Sequence, residues 1–271
     1  MKKEELKFRK VVWAYWREHG RHDLPWRKTS DPYKILVSEV MLQQTQVERV
    51  IPFYKEFVKK FPTARKLAEA PLSEVLRAWQ GLGYNRRAKM LHQAAKELSA
   101  RRGGAAPHTA IELEQLPGVG PYTARAVAAF AWNEPGVVIE TNIRTAAIHH
   151  FFPKREKVSD EEIEEVLVRA FPKGKAREWY GALMDYGASL KRTGASHNTR
   201  VKGYVKQSVF EGSLRQARGA ILAELVRAPR SGARLLGLLG DARREQSRTA
   251  LAALVAEGLV TKQARTYSLP R

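Results

Sequence analysis

A chain of 271 residues, 44% of them hydrophobic, can bury a real core and is long enough for two or three compact units. Its 48 Lys+Arg against 28 Asp+Glu give a formal charge of +20 and a pI near 10.2, which points to a polyanionic partner, nucleic acid before membrane. The lack of cysteine excludes disulfides, thiolate catalysis, Cys-held iron–sulfur clusters and Cys-ligated zinc. No long apolar run, signal pattern or lipidation motif argues for spanning or export, so an intracellular, soluble protein without membrane contact is expected.

In chain order, Glu4 to His19 has the spacing of an amphipathic helix with Leu6, Val11, Val12, Tyr15 and Trp16 on its apolar side, closed by Gly20. Asp23 to Lys28, DLPWRK, is a Pro-interrupted loop, and Asp31 with Pro32 then offers a helix cap and a first-turn proline. The helix that follows, Tyr33 to about Val47, carries Glu39 among Val37, Val40, Met41 and Leu42. A carboxylate beside so much apolar surface should have a raised pKa, unless it is a plain surface glutamate between buried neighbours. Short helices are predicted over Val50–Phe61, Thr63–Ala70 and Leu72–Gln80, then a tight break at Gly81–Tyr84 and a basic helix over Arg86–Arg101. Arg102 to His108, with Gly103 and Gly104, is a loop.

Leu116 to Val127 reads LPGVGPYTARAV, between a helical run at Ile111–Leu116 and an Ala-rich apolar segment. Gly118 and Gly120 can adopt left-handed angles, and Pro121 suits a first helical position, so a helix, a tight hairpin and a second helix are expected. Such a turn lets backbone N–H groups approach an anion, here a DNA phosphate, with help from the helix N-terminus. A glycine-closed helix pair made for packing alone has the same appearance. Beyond it, helices are predicted from about Asn142 to His150 and over Asp160–Ala170 and Lys175–Tyr186. The seven histidines, the pair His149 and His150 included, form no ordered ligand set, so no metal is expected. From Lys191 to Gly212 the chain is polar and basic, a linker or a DNA-facing crossover. Helices at Ser213–Val226, Ala233–Leu239 and Arg243–Glu257 and a hairpin at Leu259–Leu269 then suggest a small winged-helix module.

Four of these stretches converge. LPWR at Leu24–Arg27, DPYKILVSEVMLQQTQV at Asp31–Val47, GLGY at Gly81–Tyr84 and LPGVGPYTA at Leu116–Ala124 together resemble adenine DNA glycosylases of the MutY type, within the helix-hairpin-helix superfamily, over roughly residues 6 to 190. The resemblance implies an all-α, two-lobed fold with DNA and an extruded base in a cleft. The lobes would be 1–22 with 132–190, carrying the second catalytic acid, and 23–131, a helical barrel with the hairpin. A basic linker, 191–212, and the winged-helix module, 213–271, would follow. It also implies roles: Glu39 as the acid that protonates adenine, Glu140 and Asn142 as the second acid and its neighbour, and Tyr122 as a holder of the catalytic centre. Trp26, Arg27 and Leu42 would line the base pocket. Gln43, Gln44, Thr45 and Tyr84 would enter or touch the duplex, with Gly118, Val119, Gly120 and Thr123 at its backbone. An enzyme that cuts a glycosidic bond must unstack its nucleotide, which calls for such wedges and an apolar slot.

The departures from the family are as specific. Glu140, in VIETNIRT, stands where the family has aspartate, and Gly181 stands where relatives have glutamate or glutamine. Lys191 occupies the place of the first of four cluster cysteines, so a cluster-free branch without cofactor is expected. Tyr122 replaces the lysine of endonuclease III-type lyases, which implies a monofunctional hydrolase. The tail is too short for a Nudix-like domain that reads 8-oxoguanine and resembles the SxFEGSxRQxRG-type tail of shorter relatives. Three functions stay open: a monomeric base-excision enzyme removing adenine opposite G or 8-oxoguanine, a glycosylase for T or U opposite G, and a non-catalytic DNA-binding relative.

Overall fold

The computed structural model describes residues 3–101, 106–195, 197–202 and 207–271. Gly103, Gly104 and Lys206 therefore lie outside the described residues. Among those described, the chain is almost wholly helical, as the 3.6-residue periodicity predicts, and it divides into two compact units, Met1–Glu39 with Pro107–Lys206 and Val40–Ala106 with Gln207–Arg271. No described helix is long and apolar enough to cross a membrane.

The first unit holds α1 (Lys3–His19), the amino-terminal part of α2 (Pro32–Leu42), α7 (Ala110–Leu113), α8 (Pro121–Trp132), α9 (Thr141–Phe151), α10 (Asp160–Ala170) and α11 (Ala176–Arg192). Its core joins Phe8 and Val12 of α1 to Ile143 and Ala147 of α9, Ile163 of α10 and Trp179 and Leu183 of α11. The register of α1 differs slightly from the expected one: Phe8 is buried while Leu6 is 44% exposed, because Glu5 turns inward to pair with Arg169 at 2.8 Å. A buried carboxylate costs several kcal/mol unless paired, so Glu5 and Arg169 act as one group.

The second unit holds α3 (Val47–Lys60), α4 (Ala64–Glu69), α5 (Leu72–Ala78) and α6 (Arg86–Ala100), with Trp79 and Phe57 edge-to-face at 5.7 Å in its interior. Its carboxy-terminal part runs α12 (Leu214–Arg227), β1 (Arg230–Ser231), α13 (Gly232–Leu236), α14 (Arg244–Ala256), β2 (Thr261–Gln263) and β3 (Thr266–Ser268). The strands form an antiparallel sheet in the order β1-β3-β2, which is the winged-helix arrangement; β1 is too short to show any period in sequence. The Ser73 N–H donates to the Pro270 carbonyl at 3.1 Å, tying this module to α5.

Three expectations are corrected. The helix predicted to reach Val47 stops at Leu42 and restarts at Val47, with Gln44 left-handed at φ 54° between the two. Lys191 belongs to α11 rather than to a linker, and Val158 pairs with Val201 in an isolated parallel bridge. The 116–120 hairpin belongs to the first unit with α1 and α11, because α8 packs on α11, rather than with 23–131 as expected.

Candidate active site

Glu39 is 5% exposed. The Tyr122 hydroxyl donates to its Oε2 at 3.0 Å. Burial pushes the Glu39 carboxyl up to about 7; the Tyr122 hydrogen bond and the Arg27 charge pull it down, and the charge of Glu140 pushes it up. The same burial, with both carboxylates nearby, lifts the Tyr122 phenol well above its ordinary range, so it serves as a donor and not as a phenolate.

Glu140 is the N-cap of α9. Its Oε1 accepts from the backbone N–H groups of Asn142 (2.8 Å) and Ile143 (2.9 Å), and its Oε2 accepts from the Thr141 hydroxyl at 3.1 Å. Short side chains usually fill this position; here the longer glutamate folds back to do so. Asn142 thus contributes its backbone to holding Glu140. It also lies against α11 at Gly187, where a built Cβ would stand 2.0 Å from the Asn142 carbonyl oxygen and only glycine fits.

Trp26 is buried in a single 3₁₀ turn, Pro25–Arg27. The Arg27 guanidinium forms a fork on Asp185, at 2.6 and 3.0 Å, reaches the carbonyls of Arg21 and Gly181, and lies 4.9 Å from the Trp16 ring centroid. Arg21 adds its backbone N–H and Nε to the same carboxylate. Burial alone would raise the Asp185 carboxyl, but the two arginines outweigh it and hold it below the usual range. Arg27 is therefore an internal tie and a fixed positive charge near Glu39. A Cβ at Gly181 would meet Trp16 at 3.0 Å, so the indole fills the space that a larger residue would take.

In the hairpin, Gly118 is left-handed at φ 73°, but Gly120 is an extended N-cap at φ −90°, and only the first glycine needs its freedom. A Cβ at Gly120 would meet nothing within 4 Å. The absence of a side chain there leaves open space over the start of α8. Val119 is buried and anchors the turn, its N–H bonded to the Leu116 carbonyl, and Thr123 is buried within α8.

In the second unit, Leu42 ends α2 half-buried, and Gln43, Gln44 and Thr45 form the loop before α3. Tyr84, 36% exposed, is left-handed at φ 47°, an uncommon state for a non-glycine residue. Arg87 secures both loops. Its Nη1 donates to the carbonyls of Val40, Met41 and Gln43 at 2.8, 3.0 and 2.6 Å, and its Nη2 donates to the carbonyls of Leu82 and Gly83 and the Thr45 hydroxyl. This is also why α2 ends early: Arg87 supplies the donors its last carbonyls need. Burial lowers the guanidinium pKa to about 10, which still leaves it charged.

Sequence reasoning missed Asp185, Trp16 and Arg87. The first two stand one helical turn from Gly181 or against it, whereas nothing in NRRAK marks Arg87 apart from Arg86. No cysteine is present to ligate an iron–sulfur cluster, so the donor set does not fit one. Lys191 is half-buried, its amine pushed below the usual lysine range by burial. Arg200 donates to the carbonyls of Phe152 and Arg155, fastening the segment beyond α11. Among the described residues, no group of three or more His, Asp or Glu could hold a metal ion.

The family model described as HhH-GPD superfamily base excision DNA repair protein matches residues 37–173. The adenine DNA glycosylase of Mycolicibacterium smegmatis is 36% identical over 92% of this chain and 91% of its own. That of Mycobacterium tuberculosis is 39% identical over 65% of this chain and 59% of its own. Among solved structures, a thermostable thymine-DNA glycosylase is 29% identical and superposes with a TM-score of 0.63 over 69% of this chain and 87% of that one. Endonuclease III in a non-covalent DNA complex is 21% identical, with a TM-score of 0.56 over 70% and 86%. The chain belongs to the HhH-GPD superfamily of base excision DNA repair proteins. Within that superfamily it is a DNA glycosylase.

Proposed function

We propose that the chain is a monofunctional hydrolase that removes adenine mispaired with guanine or 8-oxoguanine in double-stranded DNA. The observation that carries this reading is Glu39: a buried carboxyl, pushed up to about 7 by its burial, hydrogen-bonded by Tyr122 and within the field of Glu140. With Tyr122 on Oε2, the proton sits on Oε1 and is delivered to a ring nitrogen of the base. The glycosidic C–N bond then breaks with its electron pair leaving on a neutral adenine. The sugar is left as an oxocarbenium-like cation, which the Glu140 carboxylate stabilises until water adds at C1′ and loses its proton to Glu39. The residue beside the acid is a phenol of raised pKa rather than an amine, so no Schiff base forms and the abasic strand stays intact.

Gln44 and Tyr84 would fill the gap in the duplex, and their fixed left-handed backbones suit loops that must not yield on entry. The Gly118–Gly120 turn, with open space at Gly120, would take a DNA phosphate at the start of α8. Trp26 would supply apolar surface for the base. Chromosomal DNA as substrate would place the protein inside the cell, as a monomer.

The test is single-turnover base release from duplexes holding A, T, U or hypoxanthine opposite G or 8-oxoguanine, with abasic sites revealed by heat and alkali. Adenine release that disappears in Glu39→Gln supports the reading. Release of thymine or uracil instead would move the chain toward the activity named for the thymine-DNA glycosylase it resembles at 29% identity.

A further inference from the structure

The tail that follows the basic crossover closes on the two loops just described. The Gln207 amide donates to Gln44 Oε1 at 3.1 Å and to the Tyr84 hydroxyl oxygen. Arg215, in the first turn of α12, donates from Nη1 to the same Tyr84 oxygen at 2.8 Å and from Nη2 to the Ser208 carbonyl at 2.6 Å. Its guanidinium lies 5.8 Å from the Tyr84 ring centroid and 5.9 Å from that of Phe210. Phe210 and Val209 are 57% and 79% exposed, in a stretch that has no core of its own to fill. The Phe210 ring, the Arg215 guanidinium and the Gln207 amide are thus gathered around two strained, solvent-facing residues, Gln44 and Tyr84, all within one unit.

We infer that Gln207, Phe210 and Arg215 form, with Gln44 and Tyr84, a reader for the base opposite the excised one, and that the base it takes is a guanine-type purine. The inference rests on the proposed function for its duplex and adds what discriminates the partner strand. Both lone pairs of the Tyr84 hydroxyl are occupied, so the phenol has only its O–H left to give. Arg215 keeps further N–H groups, including Nε. The cluster is therefore rich in donors, which suits the O6 and N7 acceptors of guanine. The Tyr84 and Phe210 rings add π-faces, on which a larger base gains more by stacking. These residues would so read the partner strand.

Affinity of the full chain is measured by fluorescence anisotropy for duplexes that carry an abasic-site analogue opposite G, 8-oxoguanine, C or a second abasic analogue. The wild type should prefer the two guanine-type duplexes over the doubly abasic one. In Arg215→Ala and in Gln207→Ala that preference should fall about tenfold, the size of one lost base contact. Lys59→Ala, which removes an exposed charge on α3, should leave the ratio alone. Gln207 lies in an exposed stretch outside any helix, so its replacement does not put folding at risk. An unchanged ratio in both variants, or an equal fall in Lys59→Ala, overturns the inference. Because binding is read, the outcome stands whichever base is released; absence of adenine release would overturn only the proposed function.

Discussion

A carboxyl pushed up to about 7 leaves two signatures that activity and stability report separately. The acid must carry its proton to work, so single-turnover base release should be flat below about pH 7 and fall about tenfold per pH unit above it. A rate that rises through that range would exclude Glu39 as the acid. The stability signature has a definite sign. The folded pKa of about 7 exceeds the ordinary 4.5, so between those values the native state keeps a proton that the unfolded chain has lost. Stability from this group is complete below pH 4.5 and declines as pH rises to 7, by about 3 kcal/mol in all. Glu39→Gln has no such proton to lose, so the stability of the variant relative to the wild type should rise by roughly that amount from pH 4.5 to 8, read by urea denaturation. Glu140→Asp is a complementary probe. The shorter side chain restores the commoner N-cap, and comparing its base-release rate with that of the wild type shows whether the extra methylene places the charge for the sugar.

Among elements, the joint between α2 and α3 shows where sequence reading reaches and where it stops. Glu39 was legible because its apolar neighbours lie within a few positions of it, and burial of a helix is written in its own period. The hairpin was legible from Gly118 and Pro121, and the winged-helix module from its helix and hairpin spacing. The end of α2 was not, because what ends it is Arg87, more than forty residues on, whose donors satisfy carbonyls on both loops. Asp185 stayed hidden for the same reason: one acid in a helix carries no sign that two arginines converge on it. Arg87→Ala should therefore release both loops at once, costing about 3 kcal/mol of stability and abolishing base release while Glu39 and Tyr122 are intact. Arg87→Lys should rescue neither, since a single ammonium cannot meet carbonyls on both loops. The segment beyond α11 rests on Arg200 in a similar way. Arg200→Ala should raise amide exchange at Val158 and Lys202, the two N–H groups of its short bridge, and leave α3 to α6 protected.

At the scale of the molecule, a formal charge of +20 makes binding to any DNA strongly salt-dependent. If about six phosphates are neutralised, affinity should drop by roughly a thousandfold between 50 and 200 mM salt. A slope close to zero in log affinity against log salt would mean that the charge does not face the ligand. The two-unit division has a further consequence, for how the protein is made. Each unit is assembled from two stretches of chain that are far apart in order of synthesis. Phe8 stacks edge-on with Trp179 at 5.9 Å, so the first helix leaves the ribosome long before its partner exists. The second unit waits longer still, since α5 meets the backbone of Pro270. Neither core can close on the nascent chain until most of it has emerged, and contacts of such long range form slowly. A product cut short after α11 would keep Glu39, Tyr122 and Glu140 but lack half of its second unit, which makes it a substrate for chaperones and proteases rather than a slower enzyme.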